Sequence, residues 1–136
     1  MSNKLLIIDD EPLMRDITSE VAKMLGLDVT TASSCSEGFE LYQAARNSGN
    51  PYRAILTDND TGNGLSGLDL IVKVNNLEKE DHKNPNKTRI ILMSGYDRFD
   101  DAMDKGAIAF IQKPFKIEAI QELLRYAMPE QNYEDN

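Results

Sequence analysis

The stretch Leu5-Leu6-Ile7-Ile8-Asp9-Asp10-Glu11-Pro12 (residues 5–12) decides the fold class of this chain. Its four consecutive apolar residues, Leu5–Ile8, are typical of a central parallel strand that is covered on both faces. Two carboxylates follow the strand directly, and Pro12 suits the first turn of a helix, whose positive dipole end favours acidic side chains. The stretch therefore predicts a strand that passes straight into a helix.

Short apolar segments alternate with segments of helical period through the rest of the chain. The first helical segment ends at Gly26, a residue typical of a helix C-cap. Further strands are predicted at Asp28–Ala32, Ala54–Thr57, Arg89–Met93 and Ala107–Ile111, and further helices at about Ser36–Arg46, Leu68–Leu77, Phe99–Lys105 and Ile117–Ala127. This alternation predicts an α/β fold with one parallel sheet and helices on both of its faces. Periodicity leaves the order of the strands open.

The same periodicity predicts which side chains face the core. Apolar residues at three- and four-residue spacing are expected to be buried. They are Leu13, Ile17, Val21, Met24 and Leu25 in the first helix, Phe39, Tyr42 and Ala45 in the second, and Ile117, Ile120, Leu123, Leu124 and Tyr126 in the last. The segment Glu78–Lys87 is polar and contains a proline and two asparagines, which predicts an exposed loop.

Length and composition limit the classes of protein that this chain can belong to. Its 136 residues favour a single domain, residues 1–136, with a core at about 4–128 and a flexible tail at 129–136. The net charge of −8 argues against binding to nucleic acid or to an anionic membrane. One cysteine and one histidine exclude an internal disulfide and a Cys/His metal cluster. No secretion signal or apolar span is found, which predicts a cytoplasmic protein.

Polar side chains follow four of the five predicted strands. They are Asp9 with Asp10, then Asp58, Ser94 and Lys113. Ligands of open parallel sheets bind beyond the carboxyl ends of the strands, so these side chains are expected to converge there. Three neighbouring carboxylates repel one another unless a cation lies between them, and hard oxygen ligands point to Mg²⁺ or Mn²⁺.

A metal held by carboxylates beside a lysine and a hydroxyl is typical of phosphoryl transfer. The single histidine, His82, lies in the polar segment before the fourth strand, so a histidine-activated serine or cysteine is not expected. An aspartate can itself be the nucleophile in this chemistry. The pattern is therefore compatible with an aspartyl phosphate.

These residues resemble the receiver domains of two-component response regulators. The motifs that carry the resemblance are Asp9-Asp10, Asp58, Ser94-Gly95 and Lys113-Pro114-Phe115, each after a predicted strand. The resemblance extends from Leu5 to about Met128. It implies a flavodoxin-like, doubly wound α/β fold with five helices and a five-stranded parallel sheet in the order 2-1-3-4-5.

The resemblance also implies a role for each motif. Asp58 would accept the phosphoryl group. Asp10 and Asp58 would bind Mg²⁺ directly, Asp9 would bind it through water, and Asp60 would bind it through its main-chain carbonyl. The phosphoryl donor would be a sensor histidine kinase or a histidine phosphotransfer protein, and the output would be a downstream protein partner. The chain would be a signalling module rather than an enzyme.

The resemblance assigns the remaining roles to three residues. Lys113 would contact the phosphoryl oxygens, and Ser94 would move to donate a hydrogen bond to one of them. Phe110, three residues before Lys113, would be an aromatic switch whose ring turns inward on activation.

Two features depart from the family pattern. Thr61-Gly62-Asn63-Gly64 replaces the family's frequent Met-Pro. Asp60 and Tyr96 stand where they can affect the lifetime of the phosphoryl group.

Two other functions remain open. Residues 58–61, Asp-Asn-Asp-Thr, also fit part of the nucleophile motif of haloacid-dehalogenase-like phosphatases. The acidic pair precedes Asp58 here, whereas it comes last in those enzymes. The other alternative is a receiver-like binding module that is never phosphorylated.

Overall fold

Five strands and five helices alternate along the chain in the computed structural model, which describes residues 2–62, 64–81 and 86–129. The strands are β1 (Lys4–Ile8), β2 (Asp28–Ala32), β3 (Ala54–Asp58), β4 (Arg89–Ser94) and β5 (Ala109–Gln112). The helices are α1 (Pro12–Met24), α2 (Cys35–Asn47), α3 (Gly67–Lys79), α4 (Phe99–Lys105) and α5 (Ile117–Ala127). No helix in this part of the chain is long and apolar enough to span a membrane.

The strands form one parallel sheet in the order β2-β1-β3-β4-β5, as the resemblance predicted. The order reverses at β1, which pairs with β2 on one side and with β3 on the other. Ile8 of β1 lies opposite Thr57 of β3, so Asp9 and Asp58 follow at the same edge of the sheet. Open sheets of this kind bind their ligands at such a reversal.

Both faces of the central strands β1, β3 and β4 are covered, which explains their runs of apolar residues, whereas the edge strand β2 is more polar and partly exposed. Alternate strand residues point to opposite faces. One face packs against α2, α3 and α4, and its strand residues include Leu6, Ile8, Ile55, Ile90 and Leu92. The other face packs against α1 and α5, and its strand residues include Leu5, Ile7, Leu56, Ile91 and Met93.

The buried face of α1 differs from the predicted one. Leu13 and Met24 are 73% and 79% exposed, so their assignment to the core was wrong. Val21 is buried as predicted, and the helix turns Thr18 and Ala22 toward the protein beside it. The small size of these three residues lets α1 pack closely on the sheet. Two residues of α5, Ile117 and Tyr126, are also exposed rather than buried.

The last strand begins two residues later than predicted. The backbone N–H of Ala107 donates to the carbonyl of Ala102 and closes the end of α4, so it is not available to the sheet. Gly106 has a φ of 111° in the left-handed region, where only glycine is unstrained, and this lets the chain leave the helix. Pairing with β4 therefore runs from Ala109 to Gln112.

The prediction of an exposed loop at Glu78–Lys87 was wrong at its first two residues, Glu78 and Lys79, which still belong to α3. Glu78 is also buried. Its carboxylate accepts hydrogen bonds from the Tyr42 hydroxyl at 2.6 Å and from the backbone N–H and hydroxyl of Thr88. A buried carboxylate is tolerated when it is fully hydrogen-bonded, and this one joins α2, α3 and the residue that precedes β4. His82, the predicted loop histidine, and residues 130–136 of the predicted tail lie outside the described residues.

Removal of the Tyr42 hydroxyl should destabilise the fold. Burial, with the Glu78 carboxylate beside it, raises the pKa of Tyr42, so the phenol remains a donor at neutral pH. Tyr42→Phe leaves a buried carboxylate oxygen short of a donor, and we expect it to lower the free energy of unfolding by about 1–3 kcal/mol. Urea unfolding measures this loss. Tyr126→Phe, at an exposed tyrosine, is the matched control, and equal stabilities of the two variants would contradict the role of Glu78.

Candidate functional site

Three aspartates lie together at the carboxyl edge of the sheet. Asp9 follows β1 and is fully buried, Asp58 is the buried last residue of β3, and Asp10 is exposed at the rim. One carboxylate oxygen from each lies within 4.8 Å of the other two. The topology brings these carboxylates together, because β1 and β3 are neighbouring parallel strands that end at the same edge of the sheet.

Asp9 is held rigidly by its neighbours in the chain. Its Oδ1 accepts the backbone N–H of Glu11 at 3.0 Å, and its own N–H donates to the carbonyl of Ala32 at the end of β2. Arg15 of α1 donates to the main-chain carbonyl of Asp9 at 2.8 Å. The second carboxylate oxygen, Oδ2, faces the interior of the site.

Lys113 reaches into the acidic group from the end of β5. Its ammonium Nζ lies 3.2 Å from Asp58 Oδ2, 3.3 Å from Asp9 Oδ2 and 3.5 Å from Glu11 Oε1. The side chain is only 15% exposed, and the backbone N–H donates to the carbonyl of Ser94, which joins β5 to β4 here. The Lys113–Pro114 peptide bond is cis. The sequence did not predict the contact with Glu11, although this acid directly follows the Asp9-Asp10 pair.

The charges of the site act on one another. Burial raises the pKa of Asp58 from 3.8 to about 6, and the charges of Asp9 and Asp10 add to the rise, while Lys113 opposes it. Burial works against the charge of Lys113, but the carboxylates of Asp58 and Asp9 raise its pKa overall. One ammonium therefore does not balance the carboxylates. The residues fit Mg²⁺, because its preferred ligands are a few carboxylate oxygens in a site of excess negative charge.

The segment after β3 is packed tightly behind Asp58. An added Cβ at Gly67 would lie 2.8 Å from the carbonyl oxygen of Asp58 and 2.9 Å from the Cα of Asn59. The N–H of Gly67 donates to the Asn59 carbonyl at 2.8 Å. Only glycine allows α3 to begin this close to Asp58. No motif in the sequence indicated this constraint on residue 67. The hydroxyl of Thr61 accepts the N–H of Cys35, which joins the same segment to α2.

The carboxylate of Asp60 does not join the other three. Its side chain is 64% exposed, its Oδ1 accepts a hydrogen bond from the amide of Asn59, and its Oδ2 lies 3.7 Å from the Arg98 guanidinium. The group of this residue that is expected to bind the metal is its main-chain carbonyl rather than its carboxylate. The side chain is therefore available for a separate contact with the segment after β4.

The two predicted switch residues lie in β4 and β5. Ser94 ends β4 and is buried, and its Oγ accepts the backbone N–H of Tyr96 at 3.1 Å and the Nε–H of Arg98 at 3.2 Å. Phe110 of β5 is half-buried and packs against the core on the side of α2, α3 and α4. The contact of Arg98 with Ser94 was not predicted, since no motif marks this arginine.

The fold and the site together define a flavodoxin-like domain with an acidic pocket where the order of its strands reverses. A model of the response regulator receiver domain matches residues 5–125, and the chain belongs to this family. The response regulator protein PilR of Pseudomonas aeruginosa is 31% identical over 134 residues, which cover 96% of this chain and 27% of that protein. The chain thus spans about a quarter of the length of this relative.

Solved structures share the fold. The chemotaxis response regulator CheY4 of Vibrio cholerae superposes with a TM-score of 0.76 at 21% identity, over 93% of this chain and 99% of that chain. The receiver domain of NtrX from Brucella abortus superposes with a TM-score of 0.72 at 24% identity, over 93% and 99% of the two chains. The chain is therefore similar in architecture to receiver domains of different signalling systems.

Proposed function

We propose that this domain accepts a phosphoryl group on Asp58 in a Mg²⁺-dependent reaction and that the modification changes a protein-binding face. The observation that carries the proposal is the position of the Asp58 carboxylate, beside Asp9 and Asp10 and 3.2 Å from the ammonium of Lys113. The donor would be a sensor histidine kinase or a histidine phosphotransfer protein. We place the reaction in the cytoplasm and treat residues 1–136 as one domain.

The transfer requires an ionised and accessible Asp58. With a pKa of about 6, the carboxylate is ionised at neutral pH and is more basic than an ordinary aspartate. One of its oxygens attacks the phosphorus of a phosphohistidine and forms a new P–O bond. The P–N bond breaks, and its electron pair remains on the imidazole nitrogen of the donor. Lys113 stands beside the attacked group and would pair with a phosphoryl oxygen.

Mg²⁺, when bound, would neutralise the charge of the phosphoryl oxygens. Asp10 and Asp58 would hold it directly, Asp9 through a water molecule, and Asp60 through its main-chain carbonyl. The hard oxygen donors and the excess negative charge around Asp58 support this assignment.

The output of the domain would pass through Ser94 and Phe110. Both lone pairs of the Ser94 hydroxyl are taken by N–H donors, which leaves its hydrogen to be donated to a phosphoryl oxygen. Movement of the segment after β4 would make room for the half-buried ring of Phe110. The face formed by α4, β5 and α5 carries exposed apolar side chains such as Phe99 and Ile117, which suits a protein partner. The net charge of −8 disfavours nucleic acid.

The test of this function separates a receiver from a phosphatase. Incubation with acetyl phosphate and Mg²⁺ should add one phosphoryl group per chain, measured as intact mass. Steady hydrolysis of p-nitrophenyl phosphate without accumulation of the modified protein would favour the haloacid-dehalogenase-like alternative. No modification by any donor, with a folded protein, would favour a binding module that is not phosphorylated.

Mg²⁺ should stabilise the folded protein. A cation that binds only the native carboxylates favours the native state by mass action, and we expect a gain of about 1–3 kcal/mol at millimolar Mg²⁺ relative to EDTA. Asp10→Asn should remove most of this gain. Asp28→Asn, at an exposed aspartate at the opposite end of the sheet, should retain it. Thermal or urea unfolding measures the difference, and equal gains in the two variants would argue against the metal site.

A further inference from the structure

We propose that Arg98 is a latch that holds the segment after β4 in its unphosphorylated arrangement, by joining Ser94 to Asp60. The inference rests on the proposed phosphorylation of Asp58 and deepens it. It assigns a regulatory role to an arginine that belongs to none of the motifs of the site.

Arg98 contacts both segments that border Asp58. Its Nε–H donates to Ser94 Oγ at 3.2 Å, and its NH2 group lies 3.7 Å from Asp60 Oδ2. Ser94 is the last residue of β4 and Arg98 lies in the segment after it, whereas Asp60 belongs to the segment after β3. The planar guanidinium can serve two acceptors at once because its donors form a rigid fork. It also lies over the ring of Tyr96, 5.7 Å from the centroid.

Arg98 is also the residue where α4 begins. Its carbonyl accepts the N–H of Ala102, the first hydrogen bond of the helix, and it occupies the N-cap position without a side-chain cap. The same residue therefore fixes the Ser94 hydroxyl with its side chain and starts α4 with its backbone. A change at Ser94 is transmitted to the face that α4 forms with β5 and α5.

The contacts of Arg98 oppose the movement that the phosphoryl group requires. Ser94 Oγ makes no hydrogen bond to Asp58 within the described residues, so it has to move to reach an oxygen of a phosphorylated Asp58. The guanidinium is anchored on Asp60, in the other segment. An approach of Ser94 to Asp58 therefore requires a rearrangement of Arg98, whose two contacts join Ser94 to Asp60.

Phosphorylation itself competes with the anchor. A phosphoryl group on Asp58 offers Ser94 a charged acceptor, which draws the serine away from the guanidinium that Asp60 holds. The latch is thus stable in the unmodified protein and is opened by the product of the reaction. A ligand that favours one of two arrangements shifts their populations by its difference in affinity, so loss of the latch should strengthen binding of a phosphoryl mimic.

Beryllofluoride, with Mg²⁺, provides the test, because it binds an unmodified aspartate as a phosphoryl mimic. The beryllofluoride concentration that half-saturates the protein is measured by ¹⁹F NMR. The proteins compared are wild type, Arg98→Ala, Arg98→Lys and, as a control at an exposed arginine, Arg125→Ala. We expect the half-saturating concentration to fall about threefold to tenfold in both Arg98 variants, the size of one partly exposed charged contact. Arg98→Lys is decisive, because lysine keeps the charge but cannot hold both acceptors in a fork.

Each other result overturns the latch. Weaker binding in Arg98→Ala would mean that the arginine contacts the phosphoryl group itself. Tighter binding in Arg98→Ala but not in Arg98→Lys would mean a long-range charge effect. No change in either variant would leave Arg98 without a role in the switch.

A failure of the proposed function looks different, since wild type would then not bind beryllofluoride at all. The latch is in that case judged on the ligand-free protein from the NMR signal of the Tyr96 amide, which donates to Ser94 Oγ. This signal should move in Arg98→Lys but not in Arg125→Ala, and an unmoved signal would overturn the latch.

Discussion

Asp58→Asn should abolish phosphorylation while the protein remains folded. Wild type is expected to gain one phosphoryl group from acetyl phosphate and Mg²⁺, and the variant none, because an amide oxygen is a far weaker nucleophile than a carboxylate. Shape and volume barely change, so the packing of Gly67 against the Asp58 backbone is retained. Intact mass measures the modification, and circular dichroism measures the fold.

Asp60→Asn is the matched control for this experiment. It removes a carboxylate two residues away that lies outside the group formed by Asp9, Asp10 and Asp58. This control should still accept one phosphoryl group. Labelling of Asp58→Asn at the wild-type level would place the acceptor on another residue and refute the assignment. Loss of labelling in both variants would mean that Asp60 takes part in the reaction.

The second prediction with a large expected effect is that Asp58→Asn is more stable than wild type when no metal is bound. The pKa of Asp58 is 3.8 in the unfolded chain and about 6 in the folded one, so the folded state binds a proton more readily. The ionised carboxylate therefore costs stability, and this cost appears as the pH rises from about 4 to 6 and is complete above 6. In EDTA at pH 7.5 we expect Asp58→Asn to be more stable than wild type by about 1–3 kcal/mol.

The stability difference between Asp58→Asn and wild type should depend on pH if the titration of Asp58 causes it. An effect of the substitution on packing or on total charge would not show this pH dependence. Well below the unfolded pKa of 3.8, at about pH 3, the carboxyl of Asp58 is largely protonated in both states, so the stability difference between variant and wild type should nearly vanish. Urea unfolding at a series of pH values in EDTA measures it, with exposed Asp28→Asn as the reference for a change of charge alone. A constant difference over the whole range would exclude the titration of Asp58 as its cause.

The predictions of buried elements succeeded where local sequence determines the environment. The short apolar run Leu5–Ile8 predicted a strand covered on both sides, and β1 is buried on both faces. The predictions failed at the two ends of α1. Leu13 and Met24 were predicted to be buried together with Val21, but the packing of α1 against β1, β2 and α5 leaves only Val21 of these three buried. Glu78 was assigned to a loop because its partners, Tyr42 and Thr88, are distant in sequence.

The sequence by itself determined the class of fold and the residues with reactive groups. The run of apolar residues before Asp9 and the polar residues after successive strands follow from local composition, and parallel strands bring their carboxyl ends to one edge. Only the tertiary structure decided how these groups meet. The order of the strands sets Asp9 beside Asp58, and Lys113, which follows the edge strand β5, reaches both carboxylates with its long side chain. The bridge from Ser94 through Arg98 to Asp60 joins two loops, and such contacts depend on distances that no local pattern encodes.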